Sequence, residues 1–335
     1  MSERSKRLEI RRIEEIKGKD EQQVKKDLYF GLKNSPKDIS AWPKYLYDER
    51  GSELFEEITR QPEYYQTRTE LSILKSLPEK INPEEGFSEV VELGSGSASK
   101  TRALLEAIIH KNGRTKYIPL DVSESALVES ADRLLEEYPS LMVSGYVGDF
   151  DGNVENFLKD LPESEGPRLV IFLGGTMGNF SASGRMDFLK GVRGGLRSND
   201  RLLLGLDLVK NHSILEAAYN DAAGVTAAFN KNVLRVLNRE LLSDFEPDLF
   251  SHRAIFNVDE SRIEMWLDSV TNQRISVPVM GEDIEFRSGE GMRTEVSNKF
   301  TRSSIRQMFK GSGLDLVDLY TDDEELFGLV LAKPE

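Results

Sequence analysis

The chain has 335 residues, of which 39% are hydrophobic and 30% are charged, and its formal net charge at pH 7 is -14. This length favours two domains, or one domain with a large insertion, over a single compact unit. The acidic balance argues against a nonspecific binder of nucleic acid or anionic membranes, because such proteins need basic surface to neutralise phosphates.

The residue types also limit the chemistry. The sequence contains no cysteine, which excludes disulfides, thiolate nucleophiles and cysteine-ligated metals. Its three histidines, His110, His212 and His252, are dispersed along the chain, so we expect no zinc site. We find neither a leader-like apolar segment near the first residue nor an apolar window of about 18 residues, and we expect a cytoplasmic protein without a membrane partner.

The N-terminal part of the chain shows no regular alternation of elements. Residues 1–16 are rich in charge, and we expect them to form a flexible arm. Residues 30–67 are rich in aromatic residues and prolines, and they contain one short amphipathic helix over 52–59. We therefore expect residues 17–67 to belong to a different domain from the one built of alternating helices and strands.

From about residue 68 the pattern alternates between helices and strands. Helices are predicted over 69–77, 100–111, 123–138, 154–161 and 183–196, and strands over 89–93, 116–121, 142–147, 168–173 and 201–208. The helix over 123–138 has Ser123 as a candidate N-cap, and its apolar residues recur at helical spacing. Such an alternation predicts a parallel sheet with helices on both faces.

The end of the chain departs from this pattern. A predicted helix over 303–310 precedes two strands, over 313–320 and 327–334, and the turn between them is short enough to make them antiparallel. A parallel sheet with an antiparallel final pair is typical of the α/β, Rossmann-like class I methyltransferases. Residues 68–209 and 300–335 would form that domain. Residues 210–299 would interrupt it and join residues 17–67 in a discontinuous α+β substrate-binding domain.

The stretch "ELGSGSASK" over 92–100 follows the first strand of the alternation. Gly94 would allow a sharp turn, and Gly96 would let the backbone approach a ligand because it has no Cβ atom. Ser99 stands where a dinucleotide fingerprint has its third glycine. The loop alone leaves open a plain strand-to-helix turn and a Rossmann dehydrogenase, although a carboxylate at Glu92 would repel a pyrophosphate.

Acidic residues at the ends of three successive predicted strands favour another cofactor. Glu92 and the glycines give the order E-x-G-x-G, which resembles motif I of class I S-adenosylmethionine (SAM)-dependent methyltransferases, where the acid helps to position the methionine portion. Asp121 could accept both ribose hydroxyls. Asp149 could pair with the adenine amino group while Phe150 stacks on the ring, and Lys100 could reach the methionine carboxylate. These residues predict SAM as the co-substrate.

Eight segments carry a more specific resemblance. They are "YDERGSELFEEITRQPEYYQTRTE" (47–70), "VELGSGSASK" (91–100), "PLDVS" (119–123), "GDF" (148–150), "FLGGTMGNF" (172–180), "AAYNDAAGVTAAFNKNVL" (217–234), "IEMWL" (263–267) and "RTEVSNKF" (293–300). From about residue 38 to residue 332 the chain resembles the histidine Nα-methyltransferases of ergothioneine biosynthesis. The resemblance implies SAM-dependent trimethylation of the α-amino group of L-histidine to hercynine, the first step of that pathway.

The resemblance also implies a substrate site between the two domains. Asn179 and Tyr219 match the positions that hold the substrate carboxylate. Glu295 and Ser297 match the pair that hydrogen-bonds the imidazole, and Met265 matches a wall of the imidazole pocket. The implied chemistry is consistent, because a carboxylate and a hydroxyl together can read both ring nitrogens.

The remaining implied roles concern the amine and the cofactor. Tyr47 and Tyr64 match phenols that line the amine and ring, and they are the candidates to accept or orient the departing proton. Gly174 offers backbone near the amine. The cofactor-side positions that match are Gly94, Lys100, Asp121, Asp149 and Phe150. We expect no metal, and we expect a monomer that acts on free histidine.

Besides the Rossmann dehydrogenase, two alternative functions remain open from the sequence. An N-methyltransferase acting on tryptophan or a prenylated tryptophan would share the core, although the polar pair Glu295 and Ser297 favours imidazole over indole. A binding protein could keep the pocket without turnover. Individually, Met265 could belong to an ordinary core, Tyr219 could lie on a helix surface, and Asn179 could be a turn residue.

Overall fold

The computed structural model describes residues 7–13, 21–77, 86–149 and 152–335. Within these ranges the strands are β1 (Leu8–Arg12), β2 (Lys37–Asp38), β3 (Glu89–Leu93), β4 (Thr115–Asp121), β5 (Leu141–Val147), β6 (Arg168–Phe172), β7 (Arg201–Asp207), β8 (Phe250–Asn257), β9 (Arg262–Ser269), β10 (Gln273–Val277), β11 (Glu282–Phe286), β12 (Gly291–Asn298), β13 (Leu314–Thr321) and β14 (Phe327–Pro334). The α-helices there are α1 (Glu21–Lys33), α2 (Glu49–Ile58), α3 (Gln66–Ser76), α4 (Thr101–Asn112), α5 (Glu124–Glu137), α6 (Val154–Asp160), α7 (Ala182–Gly195), α8 (His212–Ala218), α9 (Val225–Leu241) and α10 (Arg302–Phe309).

Eight strands of the described ranges form one sheet, in the order β1-β5-β4-β3-β6-β7-β14-β13. Neighbours from β1 to β7 are parallel, whereas β14 is antiparallel to both β7 and β13. Alternate residues of β3 enter two different core clusters, with Val90 in one and Val91 in the other. Both faces of the sheet are therefore covered. The predicted fold class, a parallel class I methyltransferase sheet with an antiparallel final pair, is confirmed.

The edge strand β1 corrects the prediction of a flexible arm over residues 1–16. Residues 8–12 pair in parallel with β5, and Arg7 donates to the carbonyls of Leu135 and Tyr138 at the end of α5. Ile10 packs so closely that a Cβ atom added at Gly145 would lie 2.7 Å from its Cδ1. The high charge of the segment conceals an alternation that fits an edge strand. Residues 1–6 and 14–16 lie outside the described residues.

A second group of elements has its own sheet and core. In the described ranges, the order β2-β12-β9-β8 forms a four-stranded sheet, and β10 pairs with β11. One hydrophobic cluster joins residues between positions 28 and 65 to residues between 215 and 292, so the aromatic N-terminal stretch and the insertion pack together. The assignment of these parts to a separate substrate domain, with the predicted boundaries, stays a prediction.

The two sheets meet beside the turn that follows β6. This 3-10 turn, Thr176–Asn179, lies against β12. A Cβ atom added at Gly178 would lie 2.9 Å from the carbonyl oxygen of Asn298, so only glycine permits this approach. The Asn298 side chain donates to the Gly178 carbonyl at 2.5 Å and to the Phe180 carbonyl at 3.2 Å. The contact brings the carboxyl edge of the long sheet next to the second sheet.

Candidate active site

The loop after β3 adopts the backbone conformation that its glycines predict. Gly94 and Gly96 have φ angles of 68° and 50°, in the region that side chains disfavour. The Gly96 N–H donates to Asp121 Oδ2 at 2.7 Å, and the Gly94 N–H donates to the Leu120 carbonyl at 2.8 Å. A Cβ atom added at Gly96 would meet nothing within 4 Å. The loop is thus a preformed cradle that faces open space.

The acids predicted for the cofactor lie along the same edge of the sheet. Asp121 ends β4 and uses its other oxygen to accept from the Ser123 N–H at 2.9 Å, at the start of α5. Asp149 follows β5 and is exposed. Phe150 lies outside the described residues, so its predicted stacking on adenine stays a prediction. The carboxyl ends of β3, β4 and β5 therefore place the loop, Asp121 and Asp149 side by side.

Glu92 is turned into the protein beneath the loop. It is 3% exposed, Thr101 donates to its Oε1 at 2.6 Å, and Tyr117 donates to its Oε2. Burial raises the pKa of Glu92 to about 7, although the two hydrogen bonds act in the opposite direction. In this structure Glu92 supports the first residue of α4, and direct contact with the methionine portion stays a prediction.

Lys100 is held by an acid that the sequence analysis missed. Glu70, in α3, is buried and lies 2.6 Å from the Lys100 Nζ, and it also accepts from the Gly174 N–H at 2.9 Å. A Cβ atom added at Gly205 would lie 2.2 Å from Glu70 Oε1, so β7 makes room for this carboxylate. The available signal was a lone acid on the apolar face of α3, one turn before Ile73.

A bulge in β12 determines which residues of that strand face inward, toward the predicted substrate site. Arg293 pairs with Trp266 and Glu295 pairs with Met265, which leaves Thr294 as the extra residue. Thr294, Glu295 and Ser297 are all buried, whereas Val296 is not. The bulge shifts the alternation by one residue, so that Glu295 and Ser297 point inward with their predicted spacing.

Glu295 meets Asn179 across the contact between the two sheets. Asn179 Nδ2 donates to Glu295 Oε1 at 2.8 Å, and Glu295 is 6% exposed. Burial raises the pKa of Glu295 to about 7, and the hydrogen bond from Asn179 and the charge of Lys299 oppose that shift. Met265 lies opposite Glu295 on β9 and is buried in the hydrophobic cluster of the second group of elements, so its role as a pocket wall stays a prediction.

Tyr219 and Ser297 form a cluster with Lys299, a second residue that the sequence analysis missed. The Tyr219 hydroxyl donates to Ser297 Oγ at 2.9 Å. Lys299 Nζ is fully buried and donates to Tyr219 and Ser297 at 2.9 Å each. Its charge is balanced by Asp207, whose Oδ2 is 2.7 Å away. Lys299 stands two residues after Ser297, directly after the end of β12, and both side chains are buried. This spacing of two was the signal in the sequence.

Asp207, at the end of β7, joins this cluster to α3. It accepts from the Tyr65 hydroxyl at 2.7 Å and from Lys210. Burial opposes ionisation of Asp207, but Lys299 and Lys210 together hold the pKa of its carboxyl below the usual range. Burial lowers the pKa of Lys210 to about 8.

The predicted phenols belong to an aromatic wall. The Tyr47 ring lies 5.4 Å from those of Phe55 and Phe229, and the Tyr64 ring lies 6.5 Å from that of Tyr219. Tyr47 is 37% exposed, whereas Tyr64 is 7% exposed. Burial raises the pKa of Tyr64 well above its usual value, so this side chain is a neutral phenol at physiological pH.

The structure therefore brings the predicted residues into two adjoining sets. The segment after β6 joins them, because Gly174 donates to Glu70, the partner of Lys100, on one side and Asn179 donates to Glu295 on the other. Over residues 7–13, 21–77, 86–149 and 152–335, no group of three or more histidine, cysteine or acidic side chains is placed to hold a metal ion. In those ranges no helix is long and apolar enough to cross a bilayer.

Comparison with known proteins gives this arrangement a family. The family described as histidine-specific methyltransferase, SAM-dependent, matches residues 24–334. The chain belongs to this family. Members of the family use SAM, and the open glycine cradle beside Asp121 and Lys100 fits that co-substrate.

Individual relatives align over nearly the whole methyltransferase chain. It is 42% identical over 309 residues to the histidine N-alpha-methyltransferase of Mycobacterium tuberculosis (strain CDC 1551 / Oshkosh), covering 92% of this chain and 94% of the relative. The protein of the same name from Mycolicibacterium smegmatis is 44% identical over 309 residues, with 92% and 94% covered. The ergothioneine biosynthesis protein 1 of Neurospora crassa is 31% identical over an alignment of 317 residues that covers 91% of this chain and 34% of that protein.

Proposed function

We propose that the protein transfers methyl groups from SAM to the α-amino group of L-histidine, in three rounds, to give hercynine for ergothioneine biosynthesis. The observation that carries the proposal is the inward-facing pair on β12. Glu295 and Ser297 are both buried, and two residues of a strand span about 7 Å. An imidazole with one hydrogen bond at each nitrogen can bridge two groups at that spacing.

The pair suits a neutral imidazole and disfavours an indole. A neutral imidazole offers one N–H donor and one nitrogen acceptor, so it can donate to Glu295 and accept from Ser297. An indole has only a donor, and it would leave the hydrogen of the Ser297 hydroxyl without an acceptor on the ligand. A site built for hydrogen bonds rejects a ligand that lacks them by orders of magnitude. The tryptophan alternative is therefore the weaker of the two.

The other substrate groups have donors and aromatic faces available. The Asn179 amide and the Tyr219 hydroxyl are the groups we assign to the substrate carboxylate. Gly174 and the two phenols, Tyr47 and Tyr64, would surround the amine. Because Tyr64 is a neutral phenol, it can orient the amine or pass a proton onward, but it does not act as a strong base.

In this proposal the protein accelerates methyl transfer mainly by positioning the substrate amine relative to the methyl donor. When bound, SAM supplies an electrophilic methyl group on a sulfonium. The task of the protein is to hold a neutral amine lone pair in line with that carbon and to exclude water. The wall formed by Tyr47, Tyr64 and Phe55 accommodates an amine that becomes quaternary, since aromatic faces attract such cations.

A direct test is to incubate the purified protein with SAM and each of the twenty amino acids. Mass spectrometry should show one, two and three added methyl groups on histidine and none on tryptophan. Methylation of tryptophan, or binding of histidine without any transfer, would refute the proposal. We also propose that the protein is a cytoplasmic monomer, consistent with its lack of cysteine, and light scattering of the purified protein tests the monomer.

A further inference from the structure

Lys299 has no role in the chemistry described so far, although its position is unusual. Its side chain is fully buried, and its Nζ atom contacts Asp207, Tyr219 and Ser297 at 2.7, 2.9 and 2.9 Å. An ammonium group has three hydrogens and no acceptor. The three contacts therefore use its whole capacity, and each of the two hydroxyls must receive one of its hydrogens.

This arrangement determines the direction of the neighbouring hydroxyls. Tyr219 accepts from Lys299 and, at 3.3 Å, from Gln66, and its own hydrogen goes to Ser297. Ser297 thus accepts two hydrogen bonds. A serine hydroxyl that has accepted twice retains one function, which is to donate its own hydrogen.

We propose that Lys299 is a positioning residue that commits Tyr219 and Ser297 to donate hydrogen bonds to the substrate. This inference rests on the proposed function. When histidine enters, the Tyr219 hydrogen turns to the carboxylate, while the Tyr219 oxygen still accepts from Lys299 and Gln66 and so cannot accept from Ser297. Ser297, which still accepts from Lys299, therefore donates its hydrogen to the unprotonated ring nitrogen. Glu295, which can only accept when ionised, receives the ring N–H. The site then binds a ring that has one N–H donor and one nitrogen acceptor. Because of Lys299, a ring without the nitrogen acceptor leaves the Ser297 hydrogen unpaired.

Lys210 provides a matched control for this role. It is also a buried cation on Asp207, with a side chain 6% exposed, so its loss likewise removes an ion pair from that carboxylate. Its described hydrogen-bond contacts are Asp207 and Tyr65, neither of which is Tyr219 or Ser297. A purely structural effect of losing a charge beside Asp207 should therefore appear in both Lys299→Met and Lys210→Met.

The decisive measurement is a selectivity ratio. Calorimetry with protein saturated by S-adenosylhomocysteine gives the Kd of histidine and of pyrrolylalanine, whose ring keeps an N–H but lacks the acceptor nitrogen. Both the 2-yl and 3-yl isomers are used, so that either ring edge is covered. We expect the unmodified protein to prefer histidine by roughly 10- to 100-fold, the usual effect of one hydrogen bond to a buried group.

The variants separate the outcomes. In Lys299→Met the ratio should fall to about 3-fold or less, because Ser297 can turn and no longer demands an acceptor. In Lys210→Met the ratio should stay as in the unmodified protein, and the affinity for S-adenosylhomocysteine should be unchanged in both. If Lys299→Met does not fold, Lys299→Arg keeps a charge beside Asp207 but cannot direct three hydrogens from one atom, and it should also lower the ratio.

Two results would overturn the inference. One is an unchanged ratio in every folded Lys299 variant, and the other is an equal loss in Lys210→Met. Failure of the proposed function looks different, because the unmodified protein itself would then neither bind nor methylate histidine.

Discussion

Two buried carboxylates show how single residues differ in this site. Glu92 and Glu295 are both almost fully buried, and burial raises the pKa of each to about 7. Glu92 receives hydrogen bonds at both oxygens from hydroxyls of the protein, whereas the described bond to Glu295 reaches Oε1 alone. The protein thus supplies a hydrogen-bond donor to each oxygen of Glu92, whereas Oε2 of Glu295 can accept a hydrogen bond from a ligand. Raised pKa values together with incomplete partners are typical of functional positions.

The raised pKa of Glu295 predicts that its ionised form lowers the free energy of unfolding. The folded-state pKa of about 7 lies above the ordinary value of 4.5, so the favourable contribution of the neutral carboxyl is complete below pH 4.5 and is lost as the pH rises through 7. Glu295→Gln removes this loss while keeping the volume and the acceptor for Asn179. We expect the variant to be more stable than the unmodified protein at pH 8, by up to about 3 kcal/mol, and similar to it at pH 4.5.

Chemical unfolding at the two pH values measures this difference. Glu92 titrates over the same range in both proteins, so its effect cancels in the comparison. Calorimetry of the same variant should show histidine affinity reduced by about 10- to 100-fold, since a charge-assisted hydrogen bond is lost, with little change for SAM. Equal losses for both ligands, or lower stability at pH 8, would contradict the role of Glu295.

Among the elements, β12 contributes most to the site because of its bulge. A regular strand would alternate Met292, Thr294, Val296 and Asn298 toward the core. The extra residue at Thr294 turns Glu295 and Ser297 inward instead. Thr294 is itself held, because its hydroxyl donates to Asn230 at 2.5 Å. Bulges near active sites commonly re-aim side chains in this way.

The close approach of β12 to the turn after β6 gives a prediction at the element scale. In Gly178→Ala the new Cβ atom would lie 2.9 Å from the Asn298 carbonyl oxygen and 3.1 Å from Ser297 Oγ. We expect β12 to move away and the contact between Asn179 and Glu295 to loosen. The KM for histidine should rise by about tenfold or more, and overpacking should cost about 1–3 kcal/mol of stability.

Gly86→Ala is the matched control, because its new Cβ atom would come no closer than 3.4 Å to its neighbour Asn112. Steady-state kinetics and thermal unfolding of both variants decide the matter. A KM for histidine that is unchanged in Gly178→Ala would show that the approach of β12 does not position the substrate groups.

For the molecule as a whole, α3 ties the cofactor edge to the substrate side. Tyr65, just before this helix, donates to Asp207, and Gln66 donates to Tyr219 at 3.3 Å. One turn later Glu70 holds Lys100 and the Gly174 N–H. A single rigid element therefore contacts both sets of functional residues, which fixes their separation.

The edge strand β1 gives a prediction for the whole fold. Deleting residues 1–13 would remove the parallel pairing with β5 and expose that strand as the sheet edge. Because β1 is only partly buried, we expect a modest loss of about 1–2 kcal/mol, together with a greater tendency to aggregate. Methyl transfer at low temperature should persist, since β1 lies at the edge of the sheet. Unchanged unfolding and solubility would mean that β1 adds nothing to stability.

The sequence by itself determined the long sheet, apart from its edge strand β1, and much of the cofactor side. Strong local patterns carried this information: apolar strands alternating with amphipathic helices, glycines at a turn that needs positive φ, and acids at strand ends. Gly94, Gly96 and Asp121 lie where those patterns predicted. The substrate residues were different, because Asn179, Tyr219 and Glu295 have no local signature and came only from the resemblance to a family.

Tertiary structure alone decided the buried charges, the bulge and the edge strand. Glu70 and Lys100 are 30 positions apart and Lys299 and Asp207 are 92 apart, so no local window shows that each pair shares one buried site. Burial and hydrogen-bond partners depend on which distant segments meet, and the bulge at Thr294 becomes visible only when β12 is paired with β9. The local sequence determines which chemical groups are present. Contacts between distant segments determine the protonation of these groups, the direction of their hydrogen bonds and their exposure to solvent.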